Sequence, residues 1–282
     1  MSFVSYAQNF EDVIIWRALK HINKGFYIDV GANDPTTDSV TKAFYDRGWR
    51  GINVEPVGQW YDKLLDERPQ DINLKLALGE EKGSIDFFEI PNTGLSTNRK
   101  SFAKQHEKRR GFKSKKIKVP TDTLTSILKK YDCTTIHFLK IDVEGAERAV
   151  IQGMDLKYYR PWVIIIEANL PDEVIENAHE WEALLLKADY VCGYSDGLNR
   201  FYVAQEHSEL LPSFRYPPNV FDDFIKINLL DAELRSQQSE ERTSQAEAAA
   251  SQAEAVASQA EERVSQAEER VSQAEERVSQ AE

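Results

Sequence analysis

Cysteine is scarce: Cys133 and Cys192 are the only two in 282 residues, and no CxxC spacing brings a pair together. A disulfide scaffold or cysteine-based zinc site is therefore excluded as an organising device, and a reducing compartment is expected. Long apolar runs are missing too. The longest, "WVIIIEA" at 162–168, is far too short to span a bilayer. The start, "MSFVSYAQNF", lacks the basic residues and apolar core of a signal peptide. The formal net charge is −12, which disfavours nonspecific binding to nucleic acid. Together these absences predict a cytoplasmic protein, with peripheral contact at the inner face of a membrane left open.

The charge is unevenly spread. From Asp231 onward there are 13 acidic and 5 basic residues, a net of −8, which leaves −4 for the first 230. That boundary separates an expected globular domain, 1–230 with its core at about 5–205, from a repetitive segment, 231–282. In the repeat, Val264, Val271 and Val278 fall at position a of a heptad, and Ala260, Ala267, Ala274 and Ala281 at d. Glu261, Glu268 and Glu275 occupy e, while Arg263, Arg270 and Arg277 occupy g. Opposite signs at e and g suit parallel chains, so a coiled coil and a homo-oligomer are expected, dimer or trimer. Alanine at d buries little, which keeps a solvated single helix in contention.

Before the tail, strand-like and helix-like patterns alternate. Apolar strands are expected at "GFYIDV", "RGINVEP", "INLKLAL", "SIDFFEI", "TIHFLKIDV" and "WVIIIEA", with a closing hairpin at 189–204. Helical spacing appears at 5–22, 38–48, 59–69, 121–132, 146–154 and 180–188. Such alternation predicts an α/β fold with a mostly parallel sheet covered on both faces. Ligands on such sheets bind at the carboxyl ends of the strands.

The first of those ends, "GFYIDVGANDP", has one glycine in its turn, Gly31, where a G-x-G-x-x-G pyrophosphate fingerprint needs three. It carries Asp29 and Asp34, which oppose a phosphate but suit a cationic ligand. S-adenosylmethionine, with a sulfonium and an ammonium group, is such a ligand. Glu55 ends the second strand about 20 residues on, where an acid can accept both ribose hydroxyls. Read singly, Gly31 is equally a turn glycine and Glu55 equally a solvated acid.

"YAQNFEDVIIWRAL", "GFYIDVGANDPTTDSVTKAFYDRGWRGINVEP", "ALGEEKGSIDFF" and "FLKIDVEGAERAVIQG" resemble the FkbM-type methyltransferases, a branch of the class I S-adenosylmethionine-dependent enzymes. The resemblance implies a doubly wound, Rossmann-like seven-stranded sheet with an antiparallel last strand, and O-methyl transfer, often to sugars. It implies that Asp29, Gly31 and Asn33 border the methionine end of the cofactor, with Ala32, Ser39, Pro56 and Asp142 alongside. Glu55 then takes the ribose, and Ala77 and Leu78 lie against adenine. The N-terminal segment with Gln8, Glu11 and Asp12 is hinted to close over the site; by themselves the two acids read as a helix cap and first turn.

A hydroxyl acceptor needs a base or a metal. "KIDVEGAE" places Asp142, Glu144 and Glu147 at one strand end, and "IIIEANLP" places Glu167 and Asn169 at the next. Asp142, Glu167 and Asn169 form an oxygen-only set suited to Mg²⁺ or Mn²⁺. Without metal, Asp142, Glu144 or a histidine is the expected base. His137, inside an apolar strand, reads as a core residue. Lys140 either neutralises the acidic turn or meets substrate. Residues 99–118 hold ten Lys or Arg in twenty positions, read as a mobile surface loop or as a contact for an anionic substrate, membrane or partner. The expected acceptor is a sugar or glycan hydroxyl, with a small natural product, or a non-catalytic scaffold displaying the coiled coil, as alternatives.

Overall fold

Strands form where the sequence runs apolar or alternates, and amphipathic helices fill the intervals. The computed structural model describes residues 2–169 and 177–279. In chain order the strands are β1 (Phe3–Ser5), β2 (Phe26–Val30), β3 (Arg50–Val54), β4 (Ile72–Leu74), β5 (Ala77–Leu78) and β6 (Gly83–Glu89). Then come β7 (Lys115–Asp122), β8 (Phe138–Ile141), β9 (Val163–Glu167), β10 (Tyr190–Ser195), β11 (Asn199–Ala204) and β12 (Phe224–Lys226). The α-helices are α1 (Glu11–Leu19), α2 (Lys42–Asp46), α3 (Gly58–Glu67), α4 (Lys100–Arg110), α5 (Leu124–Lys130), α6 (Glu147–Gln152), α7 (Glu182–Lys187) and α8 (Ile227–Ser279).

The main sheet has seven strands in the order β10-β11-β9-β8-β2-β3-β4. The pairs among β9, β8, β2, β3 and β4 are all parallel, and β11 runs antiparallel between β9 and β10. The sheet is thus mixed, as a hairpin at its edge requires. Successive side chains alternate between its faces. Ile28, Val30, Leu139, Ile141, Ile164 and Ile166 pack toward α5, α6 and α7 in one core. Tyr27, Phe138, Val163 and Ile165 pack toward α1 and α2 in the other. Near-continuous apolar strands are the consequence of a sheet buried on both sides.

Two expectations change here. "INLKLAL" is not one strand: β4 stays in the main sheet, and β5 joins β7 and β6 in a separate three-stranded sheet. The chain leaves the main sheet after Leu74 and enters the second sheet at Ala77. The basic stretch 99–118 is not a loop either, being α4 followed by the first half of β7. Ala103 and His106 anchor α4 by burial, while Lys100, Lys104 and Lys108 face outward. At the N-terminus β1 pairs in parallel with β12.

The chain divides into two units, Met1–Lys226 and Ile227–Glu282. The second is the helix α8, in which every side chain described between 232 and 273 is exposed. Ala281 of the heptad lies outside the described residues. Among the described residues no helix is long and apolar enough to cross a membrane.

Candidate functional site

The carboxyl ends of β2, β3, β8 and β9 open into one cavity of about 670 Å³, within the range of small-molecule sites. Its character changes along the strand order. Beside β3 and β5 the lining is apolar, with Val57, Trp60, Ala77, Leu78, Ile85 and Phe87. Toward β8 and β9 it is acidic, with Asp29, Asp142, Glu144 and Glu167. Glu55, between these ends, lines it as well, as do Gly31, Ala32, Asn33, Ser39 and Pro56.

The β2 turn is held from three sides. Gly31 has φ +78°, and a Cβ there would sit 1.8 Å from the Asp142 carbonyl oxygen. Its lack of a side chain thus lets the β2 and β8 ends meet. Asp29 is buried and accepts from Thr41 Oγ1 at 2.8 Å. Lys140 Nζ donates to the Gly31 carbonyl at 2.9 Å and lies 3.4 Å from Asp29 and 3.3 Å from Asp142. Burial opposes the Lys140 charge, but Asp142 and Asp29 outweigh it and hold the pKa above the usual lysine range. Lys140 is therefore a fixed cation that neutralises the turn, not a base. Asp34 faces away from this cavity: it accepts from the amides of Thr36 and Thr37 and pairs with Lys63 at 2.8 Å.

Glu55 is only 4% exposed, and accepts from Asn33 N at 2.8 Å and Val57 N at 2.7 Å. Burial pushes its pKa up to about 7, against the pull of those two amides. Each oxygen has a second lone pair for a ligand.

The turn after β8 is strained and pinned. Glu144 and Gly145 have φ of +52° and +98°. Thr97 Oγ1 donates to the Glu144 carbonyl at 2.9 Å, and a Cβ on Gly145 would meet the Phe102 ring at 2.5 Å. Glu147 is buried and folds back to accept from Gly145 N at 2.9 Å, so it is part of the turn rather than of the acidic cluster. That cluster is Asp142, Glu144 and Glu167, with one oxygen from each within 4.8 Å of the others. Burial, then the charges of Asp142 and Glu144, push Glu167 well above the usual carboxylate range. Asn169 Nδ2 donates to the Gly197 carbonyl at 2.7 Å, leaving Oδ1 buried without a hydrogen-bond partner among the described residues. The carboxylate third to Asp142 and Glu167 is Glu144, which sequence reading assigned to base catalysis only; Asn169 flanks them in the lining.

The roof of the cavity went unread in the sequence. Ile85 and Phe87 come from β6, and Asn92–Ser96, Asn98, Arg110 and Phe112 from its connection to β7. Trp60 Nε1 donates to the Thr93 carbonyl at 3.2 Å, tying roof to floor. The available signal was the alternation in "SIDFFEI", which demanded a cover the main sheet does not supply. Gln8 also lines the cavity. Glu11 and Asp12 are buried rather than solvated: Asp12 accepts from Ser5 Oγ, Tyr6 N and Ala7 N and sets the bend that brings Gln8 in. His137 is a satisfied core residue, its Nδ1 accepting from Phe26 N at 3.0 Å.

A parallel sheet with an acidic, glycine-poor first turn, an acid after β3 and a second acidic turn after β8 can be compared with known families. The family model for the methyltransferase FkbM domain matches residues 29–192, more than half of the chain. The chain belongs to the FkbM methyltransferase domain family. The matched span starts at Asp29 and ends within β10, so it holds both acidic turns of this FkbM domain. Among solved structures, one similar chain is the methyltransferase FkbM from Methylobacillus flagellatus KT, at 13% identity and a TM-score of 0.42. That match covers 64% of this chain and 44% of the other. No curated protein matches the chain.

Proposed function

We propose that this FkbM-domain protein is an S-adenosylmethionine-dependent O-methyltransferase whose acceptor is a sugar hydroxyl, at the end of a glycan chain or on a smaller glycoside. The carrying observation is the graded cavity, apolar at the β3–β5 side and acidic at the β8–β9 side. A nucleoside with a cationic tail fits that gradient: Ala77, Leu78 and Phe87 suit an adenine ring, Glu55 the ribose, and Asp29 and Asn33 the ammonium end. S-adenosylmethionine supplies an electrophilic methyl group on a sulfonium.

The residues of the chain do the rest. Asn98 Oδ1 and Asn169 Oδ1 are buried acceptors without hydrogen-bond donors among the described residues, and both residues line the cavity. Such a lining favours an acceptor rich in hydroxyl donors over a flat apolar one, which supports a sugar above a general small natural product. Asp142, ion-paired with Lys140, and Glu144 are the carboxylates of this end of the cavity that can accept the hydroxyl proton. Positioning supplies much of the remaining rate. A scaffold without activity has no use for a half-buried carboxylate trio lining a cavity, each member of which opposes the charge of the others.

A second reading rests on the same trio. Asp142, Glu144 and Glu167 offer three oxygens at short range, a set suited to Mg²⁺ or Mn²⁺, with Asn169 beside it. A hard cation there would lower the pKa of a hydroxyl acceptor.

The test is calorimetric titration with S-adenosylmethionine, then incubation with methyl glycosides and oligosaccharides under mass spectrometry. Binding and a gain of one methyl on a glycoside support the reading. Binding without any methylated glycoside overturns the sugar acceptor, and no binding overturns the enzyme. Activity that survives thorough chelation assigns the proton to Asp142 or Glu144 and removes the metal.

A further inference from the structure

Helix α8 runs for 53 residues without packing of its own side chains from 232 to 273. Helices in proteins draw most of their stability from tertiary packing. A solitary helix draws it instead from opposite charges three or four residues apart. Here that support is missing: from 232 onward no glutamate stands three or four residues from an arginine, and Asp231 with Arg235 is the single acidic–basic pair at that spacing. The spacing that does recur is five: Arg235 to Glu240, Arg242 to Glu247, Arg263 to Glu268, and again Arg270 to Glu275. Residues five apart lie on different sides of one helix and cannot reach each other.

In heptad terms each of these pairs joins g to the following e. Two parallel helices in register bring the g residue of one beside the following e residue of the other. Antiparallel helices bring e to e and g to g, which here sets glutamate on glutamate and arginine on arginine. The apolar seam agrees: Val264 and Val271, each 58% exposed, mark the a positions, and Leu229 falls on the same frame. β-Branched a positions are the pattern of two-stranded parallel coils when leucine takes d; here alanine takes d, and the small d residue suits the close approach of two helices. The tail's net of −8 excludes an anionic membrane surface as the cover.

We propose that α8 pairs with α8 of a second copy of this chain as a parallel, in-register, two-stranded coiled coil, with register and direction set by the arginine–glutamate pairs. The spacing of five distinguishes this from a free-standing helix, and the valine seam supplies the buried contact. Alanine at d keeps the seam narrow, so the association is spread over several heptads rather than concentrated in one.

Light scattering coupled to size exclusion on the full chain at micromolar concentration should report twice 32.3 kDa. In a Cys133→Ser/Cys192→Ser background, Ala257→Cys, at an a position, should oxidise to a linked dimer, as only parallel, in-register chains allow. Arg263→Glu/Arg270→Glu should reduce the mass to one chain, and so should Glu268→Arg/Glu275→Arg. Mixing the two variants should restore the two-chain species, which shows that neither has simply unfolded. A wild-type monomer, a dimer indifferent to both charge reversals, or failure of the 257 cross-link overturns the proposal.

Discussion

Charges in the two units of this chain are managed in opposite ways. In the first 226 residues several buried or half-buried charges find partners far away in sequence: Lys140 with Asp29 and the Gly31 carbonyl, Arg17 with Asp222, and Glu11 with Asn199. In α8 the charges repeat on a seven-residue grid and stay in water. The first arrangement stores specificity in single residues, because each buried group has one geometry that satisfies it. The second spreads it over a pattern, because each exposed group adds little alone. Single substitutions should therefore be costly in the first unit and mild in the second.

The sharpest version of that contrast is Gly31→Ala. The φ of +78° and the 1.8 Å approach to the Asp142 carbonyl leave no room for a Cβ, so the β2 and β8 ends must separate. A loss of about 3 kcal/mol or more is expected in chemical denaturation, together with loss of cofactor binding. A wild-type stability would show that the turn is slack and the comparison overdrawn.

Next in size is Glu55→Ala, expected to weaken S-adenosylmethionine binding by about 1.5–3 kcal/mol through loss of charge-assisted hydrogen bonds. The substitution also frees the amides of Asn33 and Val57, so some stability goes with it. Glu55→Gln keeps an acceptor and should fall between. Unchanged calorimetric affinity in a folded Glu55→Ala protein would remove Glu55 from the site.

The units also differ in their response to pH. Burial pushes Glu11 and Glu55 to about 7 and Asp12 to about 6, above their ordinary values of 4.5 and 3.8. Between those limits the folded state holds more protons than the unfolded one, so stability falls as pH rises from about 4 to 7 and then levels. Each pKa unit is worth roughly 1.4 kcal/mol at most. Urea midpoints of the first unit should be higher at the acid end of that window than at neutral pH; a midpoint that rises with pH would mean that the amide hydrogen bonds to these carboxylates outweigh their burial.

The smallest expected effect is from removing α8 altogether. A chain ending at Lys226 should keep its melting temperature and its cofactor affinity, because the unit up to that residue is compact by itself. A marked loss of either would show that the helix contributes to the fold it follows.

Much was open to reading from the residues alone. Apolar strands at 25–30, 50–56 and 162–168 follow from burial on both faces, and the heptad follows from its own period. The two acidic turns were visible because a strand end is a position that sequence can mark. Less visible was the division of labour among the acids. Glu144 joins Asp142 and Glu167 because the chain turns through positive φ at 144 and 145 under Thr97 and Phe102. Glu147, three residues on, is consumed by that same turn. Asp34 looks equivalent to Asp29 in the string, yet one caps a turn toward Lys63 and the other lines the cavity.

By itself, then, the order of residues determined which stretches become strands and helices, where strand ends carry acid, and the grid of charges along α8, since these depend on neighbours within a few positions. Only the tertiary structure decided that "INLKLAL" divides between two sheets, that residues 83–122 roof the cavity, that Lys140 is locked as a cation and that Glu167 is raised above the usual carboxylate range. Those outcomes rest on burial and on charges brought together from β2, β8 and β9, and electrostatic energy depends on distance in space rather than along the chain.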